Sequence, residues 1–336
     1  MKAILYTEYG SPEVLKLQEI DKPNPKDNEL LIKVYATSVN YGDLTARNYK
    51  NISPRDFNMP AIFWFFGKIF FGTNKPKIKI LGSEFAGQVE AVGKDVTSFS
   101  PGDDVFGYLG QNMGAYAEYF CMTEKGTVTN KPSNMSYEEA GVTPMGAIMA
   151  INLLRKANIQ PRQKVLINGA SGSIGSAAVQ IAKHFGADVT GVCGTPRIDY
   201  VKSLGADKVI DYKNEDFTQN NETYDLIFDV LGKSLFARCK NSLTQNGRYL
   251  LASFKMKQLL QMFWTSIFSK KKVICALAPG SKEDLISVKE LIENGKIKSI
   301  INKQFPFEKT AEAHKYVEDG HARGKIAISL VQNGTG

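Results

Sequence analysis

The sequence predicts an α/β fold: a doubly wound parallel sheet joined to a β-rich domain. Three observations carry this. The apolar run Val165–Ile167 ends in the small-residue turn Asn168-Gly-Ala-Ser-Gly-Ser-Ile-Gly175, and Ile174–Phe185 then keeps helical spacing up to Gly186. Further strand candidates recur at Asp188–Val192, Lys208–Ile210, Tyr224–Val230 and Arg248–Ala252, separated by helical stretches, as in repeated βα units. The N-terminal third instead shows short alternating runs punctuated by Gly, Pro and Asp.

In that third, Val14–Ile20 and Glu29–Ala36 alternate as strands, the second running into Thr37-Ser-Val-Asn-Tyr-Gly-Asp43. Phe85–Gly93 is a strand with glycines near both ends. The turn Ser100-Pro-Gly-Asp-Asp104 leads into the strand Val105–Tyr108, and Ala115–Cys121 adds another. Helical period starts at Ser136-Tyr-Glu-Glu-Ala140, where a serine followed by glutamates suits a helix N-terminus. The α/β alternation runs to about residue 280. A helix over Thr310–Glu318 and a strand over Lys325–Leu330 complete the chain. The expected domains are 1–125 with 281–336, β-rich, and 126–280, nucleotide-binding.

A chain of 336 residues suggests about two domains with real cores. No apolar run approaches the ~20 residues of a membrane-spanning helix, and Met1-Lys-Ala-Ile-Leu-Tyr6 has no signal-peptide architecture. The cysteines at 121, 193, 239 and 275 are scattered, as reduced thiols of a cytoplasmic protein would be. The net charge of +8 is concentrated. Phe57–Ser83 holds Lys68, Lys75, Lys77 and Lys79, and Leu250–Ala278 holds Lys255, Lys257, Lys270, Lys271 and Lys272, neither with an acid. The remainder is near neutral, which argues against a nucleic-acid partner.

The turn after Val165–Ile167 has the order that cradles a pyrophosphate, with Gly172 admitting the phosphates and Gly175 letting the helix pack on its strand. Ala170 stands at the first glycine position of the pattern, and Ser171, Ser173 and Ile174 complete the turn. At the end of the second strand an NAD site places an acid about 20 residues on. Here the residues are Val192-Cys-Gly-Thr-Pro-Arg197, with no acid before Asp199. Gly194 leaves room for a 2′-phosphate, and Thr195 and Arg197 can donate to it, so NADP(H) is the expected cofactor. The alternative for Arg197 is a solvated residue at a helix start.

These pieces in this order resemble the medium-chain dehydrogenase/reductase superfamily, and within it the zinc-independent NADPH quinone oxidoreductase branch. The resemblance spans the opening Lys2–Val14, Ser38-Val-Asn-Tyr-Gly-Asp43, Gly82-Ser-Glu-Phe-Ala-Gly87, Pro101-Gly-Asp-Asp-Val-Phe-Gly107, the nucleotide turn and His321-Ala-Arg-Gly-Lys325. It implies a Rossmann sheet, a GroES-like β-barrel domain and a homodimer, with the site between domains. It places Asn40 against the nicotinamide, Arg197 and Tyr212 beside the 2′-phosphate, Leu231 and Ser253 along the cofactor, and Lys325 closing the cleft. Asn40 also suits a turn at a strand end. Tyr41 and Asp43 are the accompanying catalytic candidates, Asp43 with a structural alternative, and Thr45 and Tyr49 are candidate donors to a substrate carbonyl. Asn40, Ser83 and Met145 stand where zinc relatives carry ligands, so no metal is expected.

Without a Lewis acid, an unactivated alcohol is a poor substrate, whereas quinones and α,β-unsaturated carbonyls are already electrophilic. The expected activity is hydride transfer from NADPH to such acceptors. The alternatives are a zinc-type alcohol dehydrogenase and a cofactor-binding scaffold or peripheral membrane protein with little turnover. The segments Ala61–Phe71 and Gln258–Phe268 contain both tryptophans, Trp64 and Trp264, beside the lysine clusters. Core or dimer packing, a hydrophobic mouth for bulky substrate, and a membrane-surface contact are all open readings of them.

Overall fold

The computed structural model describes residues 1–330. The chain opens with β1 (Lys2–Leu5) and β2 (Lys16–Glu19), an antiparallel pair. β3 (Glu29–Ser38) follows, then α1 (Tyr41–Arg47) and α2 (Ala61–Phe71). β4 (Glu84–Val92), β5 (Asp104–Tyr108), β6 (Tyr119–Thr123) and β7 (Thr127–Asn130) come next. They are followed by α3 (Tyr137–Gly141) and α4 (Pro144–Lys156). Ser136 caps α3 by accepting from the Glu139 N–H, and Pro144 occupies a first-turn position of α4 where its missing N–H costs nothing.

The parallel unit consists of β8 (Lys164–Asn168), α5 (Ser173–His184), β9 (Asp188–Cys193), α6 (Ile198–Ser203), β10 (Lys208–Asp211), β11 (Tyr224–Asp229), α7 (Phe236–Cys239), β12 (Leu243–Leu251), α8 (Met256–Phe268) and β13 (Lys272–Cys275). The chain ends with α9 (Lys282–Glu293), β14 (Ile301–Pro306), α10 (Thr310–Glu318) and β15 (Lys325–Ser329).

Six parallel strands lie in the order β10-β9-β8-β11-β12-β13, so the winding reverses between β8 and β11. Ligands of doubly wound sheets bind beyond the strand ends at that reversal. Val165, Leu166 and Ile167 are fully buried, because helices cover both faces of this central strand. The second sheet runs β14-β15-β3-β4-β5-β7, with β6 also on β3. Its pairing path is open rather than a closed barrel. The long β3 is shared along one edge, by β6 at Glu29–Lys33 and by β15 at Ala36–Ser38. β7 pairs with β5, and α9 packs on α4 and β7, so both ends of the expected 126–280 segment contact the other unit.

Most expected elements stand within a few residues of their anticipated bounds, and Thr310–Glu318 matches at both ends. The strand expected at Ala115–Cys121 begins only at Tyr119; before it, Ala117 makes an isolated bridge to Ala3. Both aromatic segments are helices, α2 and the C-terminal part of α8.

Candidate active site

Beyond β8 the chain turns at Gly169, whose φ of +91° lies where side chains are strained. Ala170 is fully buried against Gly191 of β9 rather than facing the cleft. Gly172 is the N-cap of α5, whose first N–H groups have no partner within the helix. A Cβ on Gly175 would come within 2.1 Å of the Gly169 carbonyl oxygen, so only glycine permits this approach of helix and strand. The Ser173 Oγ is buried without a hydrogen-bond partner, an orphaned hydroxyl at a helix N-terminus. Free amides, an unpaired hydroxyl and the positive helix end fit an anionic phosphate.

A cavity of about 610 Å³ lies beyond β9 and is lined by Gly194, Arg197, Tyr212, Lys213 and Arg323, among others. Three cationic side chains line it with no carboxylate but Asp319, a charge balance that suits an anionic group. The Arg197 guanidinium donates to the Ala322 carbonyl at 2.7 Å, fixing its position against the C-terminal segment. Thr195 departs from expectation. Its hydroxyl donates to Asp211 at 2.6 Å and it lines neither cavity. That bond, first among several, holds the Asp211 carboxyl below the usual range. Lys213 and Arg323 join Arg197 there; one follows Tyr212 and the other lies in the His321–Lys325 motif, but no local pattern shows that their side chains face the same cavity.

Arg197 also lines the adjoining cleft, about 430 Å³, between the two sheets. Ser171, Gly172, Ser173 and Ile174 face it from the glycine turn, and Leu231 and Ser253 from the ends of β11 and β12. Asn40, Tyr41 and Lys325 face it from the other sheet. The cleft therefore brings together most of the expected catalytic and cofactor residues.

Glu84, the acid of the Gly82–Gly87 motif, organises this side. Fully buried, it accepts at Oε1 from Ser38 Oγ (2.5 Å) and Asn40 Nδ2 (2.7 Å), and at Oε2 from the Met145 N–H (2.8 Å). Burial raises its carboxyl, opposed chiefly by Lys325. Asn40 Nδ2 also donates to Ser38 Oγ at 2.7 Å, so both amide hydrogens are engaged. Lys325 is pushed down to about 8 by burial, against the pull of Glu84, and donates to Ser299 Oγ at 3.3 Å.

Four expected substrate residues and one catalytic candidate lie elsewhere. Asp43 is fully buried and accepts from the Asn40 and Gly82 N–H groups at 2.9 and 3.0 Å. It positions the start of α1 and does not line the cleft, and burial raises its carboxyl to about 7 against those bonds. Tyr49 is buried, its hydroxyl spent on the Trp64 carbonyl at 2.8 Å. Trp64 donates to the Ile52 carbonyl, Trp264 is exposed on α8, and neither they nor Thr45 line the cleft. The aromatic segments pack outside the cleft because both are helices that turn their rings toward solvent.

Zinc does not fit the donors around Glu84. Both its oxygens are occupied, and its neighbours are hydroxyls, a carboxamide and a backbone amide, without the thiolate or imidazole ligands of a catalytic site.

The family model for the alcohol dehydrogenase GroES-like domain matches residues 26–133, and one described as zinc-binding dehydrogenase matches 204–328. The chain is 32% identical to the chloroplastic quinone-oxidoreductase QR1 of Triphysaria versicolor, over 98% of each protein. It is 28% identical to the chloroplastic NADPH-dependent alkenal/one oxidoreductase of Arabidopsis thaliana, over 98% of this chain and 79% of that protein. Among solved structures, the quinone oxidoreductase from Coxiella burnetii superposes with a TM-score of 0.83 at 26% identity, covering 98% of this chain and 99% of that one. The chain belongs to the medium-chain dehydrogenase/reductase superfamily, in its quinone-oxidoreductase-like branch.

Proposed function

We propose that this protein is an NADPH-dependent reductase that transfers hydride to quinones or α,β-unsaturated carbonyls. The observation that carries the reading is the cleft itself. It sets the phosphate-receiving turn of α5 opposite Asn40, Tyr41 and Lys325, with the arginine–lysine pocket at its far end. When bound, the nicotinamide supplies the hydride.

The chain's own residues bind, orient and protonate. The α5 N-terminus and Ser173 hold the pyrophosphate, while Arg197, Lys213 and Arg323 select the 2′-phosphate beside Tyr212. Ser38 and Glu84 fix the Asn40 carboxamide by holding both its hydrogens, which leaves Oδ1 as an acceptor toward the cofactor. Asn40 is then no donor to substrate. Tyr41 is exposed in the cleft, and its hydroxyl oxygen accepts from Asn58 Nδ2 at 3.4 Å, which leaves its hydrogen to be donated to the developing oxyanion. Lys325 offers positive charge from the cleft floor and a proton source near neutrality.

The two named relatives act on quinones and on alkenals or alkenones, acceptors whose shared feature is an electrophilic conjugated carbonyl. The decisive test is NADPH oxidation with a panel of both classes, with and without a chelator. Turnover undiminished by chelation is the expected result. Activity that chelation abolishes and zinc restores overturns the reading in favour of an alcohol dehydrogenase, and cofactor binding without turnover favours a scaffold.

Within the same proposal, residues 1–125 with 281–330 form the catalytic unit and 126–280 the nucleotide unit, β7 and α9 bridging them; residues 331–336 of the expected domain lie outside the described residues. The assembly is a homodimer, to be tested by sedimentation velocity. Among the described residues no helix is long and apolar enough to cross a membrane. A cytoplasmic location with peripheral membrane contact is our reading, and fractionation of cells tests it.

A further inference from the structure

Nineteen large hydrophobic side chains are exposed among the described residues, and twelve of them lie on two helices. On α2 these are Ile62, Phe63, Phe65, Phe66, Ile69 and Phe70, and no residue of that helix is buried. On α8 they are Met256, Leu260, Phe263, Trp264, Ile267 and Phe268, with only Thr265 buried. A surface this apolar on 24 residues is an interaction face.

The two helices are neighbours at the cleft. Asn58 lines the cleft three residues before α2 begins, and Ser253 lines it three residues before α8. The segment entering α2 is tied to α8. Lys255 Nζ donates to the Arg55 carbonyl, and Met59 packs in the apolar cluster that also takes in Leu259 and Met262. Both faces therefore rise from the rim of one opening.

Charge selects the occupant. The two acid-free segments hold nine lysines. Lys68 Nζ sits 4.3 Å over the Trp64 ring. Lys77 reaches the Ile69 carbonyl near the end of α2, and Lys272 reaches those of Thr265 and Ser266 near the end of α8. Cations thus border the rings on both helices. A second copy meeting this face across a two-fold axis would set lysines against lysines with no acid between them. A lipid surface with anionic headgroups accepts both the rings and the charges.

We propose that α2 and α8 dock the protein on an anionic lipid surface, with the mouth of the cleft held against the bilayer so that lipid-dissolved acceptors enter it directly. The entry of substrate rests on the reductase reading above; the docking does not. Aromatic rings enter the headgroup boundary, lysines contact the phosphates around them, and a hydrophobic quinone passes from the acyl region into the cleft between Asn58 and Ser253.

The test uses the full-length protein with phosphatidylcholine vesicles, with and without phosphatidylserine. The variants are Phe66→Ser combined with Phe263→Ser and Phe268→Ser, all exposed positions, and separately Lys257→Glu with Lys270→Glu. The protein should pellet with anionic vesicles only, and salt should release it because exposed charges are screened within about 10 Å at 0.1 M. Each variant should lower the pelleted fraction roughly tenfold while melting as the wild type does. Reduction of a short water-soluble quinone should be unchanged in both, and reduction of a long-chain quinone embedded in the vesicles should fall about as much as pelleting does. No pelleting, equal pelleting on neutral vesicles, or a dimer that the serine variant dissociates without any lipid effect overturns the docking. Absence of activity on the soluble quinone in the wild type instead overturns the reductase reading and leaves the pelleting result to stand by itself.

Discussion

Arg197 and Lys325 carry the sharpest consequences for single side chains. Only NADPH presents a 2′-phosphate to the pocket that holds Arg197, Lys213 and Arg323. Removing one charge-assisted hydrogen bond there costs roughly 1.5–3 kcal/mol, so Arg197→Ala should raise the NADPH KM about ten- to a hundredfold and leave NADH use nearly unchanged. Equal losses for both cofactors would show that the bonds to Gly320 and Ala322 matter more than the phosphate. Lys325, with its ammonium depressed to about 8 by burial, is charged below that pH and neutral above it. Its attraction for an anionic cofactor should therefore fade as pH rises through about 8, seen as a rising NADPH KM. Lys325→Arg, which stays protonated, should flatten that profile. Asn40, Tyr41 and Lys325 could be named from sequence because they sit in recognisable motifs. Glu84 could not be read as their organiser, because only the pairing of β3 with β4, Thr37 opposite Phe85, brings it within 3 Å of Ser38 and Asn40. The available signal was a glutamate left without the ligands its zinc relatives provide.

At the scale of the element, the β8–α5 turn separates two uses of glycine. A methyl at Gly175 would meet three backbone atoms of Gly169 and Ala170 at 2.1 to 2.9 Å, so the turn itself must shift. Gly175→Ala should cost about 1–3 kcal/mol of stability and weaken NADPH binding with it. Gly172, at φ −76°, would place a methyl 3.5 Å from the Gly169 carbonyl and on the cleft side. Gly172→Ala should leave the melting temperature near that of the wild type while NADPH affinity falls. Calorimetric melts and fluorescence titrations with NADPH distinguish the two. The strands and helices of this unit were legible because burial on both faces makes β8 a continuous apolar run and gives α5 its period. The helical state of α2 was not, since rings stand on its packed face (Trp64 and Phe71) as well as on its exposed one, and no polar stripe marks a period.

Across the whole molecule, one buried network ties the two ends of the chain together. Arg47 at the end of α1 is fully buried and pairs with Glu318, and it donates to His314 Nδ1 at 3.0 Å, both partners lying on α10. The other ring nitrogen, His314 Nε2, then donates to the Tyr116 hydroxyl at 2.9 Å, which donates to the Ser38 carbonyl beside Asn40. Burial and the guanidinium keep His314 well below its ordinary range, hence neutral. Arg47→Ala leaves the His314 ring nitrogen without its donor in a fully buried space, while the half-exposed Glu318 can turn to water, and should cost about 1–3 kcal/mol, measurable by denaturant titration. Arg47→Lys should recover only part of that, since one ammonium cannot serve both partners in the same geometry.

The sequence by itself determined the fold class and the NADP(H) dependence, and it supplied the expectation of a phosphate-receiving turn and of zinc positions without ligands. These follow from local chemistry: periodicity, glycine spacing and the identity of side chains at a few sites. Tertiary structure alone decided that Asp43 and Tyr49 are buried supports, that Thr195 serves Asp211, and that Lys213 and Arg323 join Arg197. It also decided that two aromatic helices share the rim of one cleft. Each depends on strand register or on contacts between segments far apart in the chain, and no local pattern encodes which distant partner a side chain will meet.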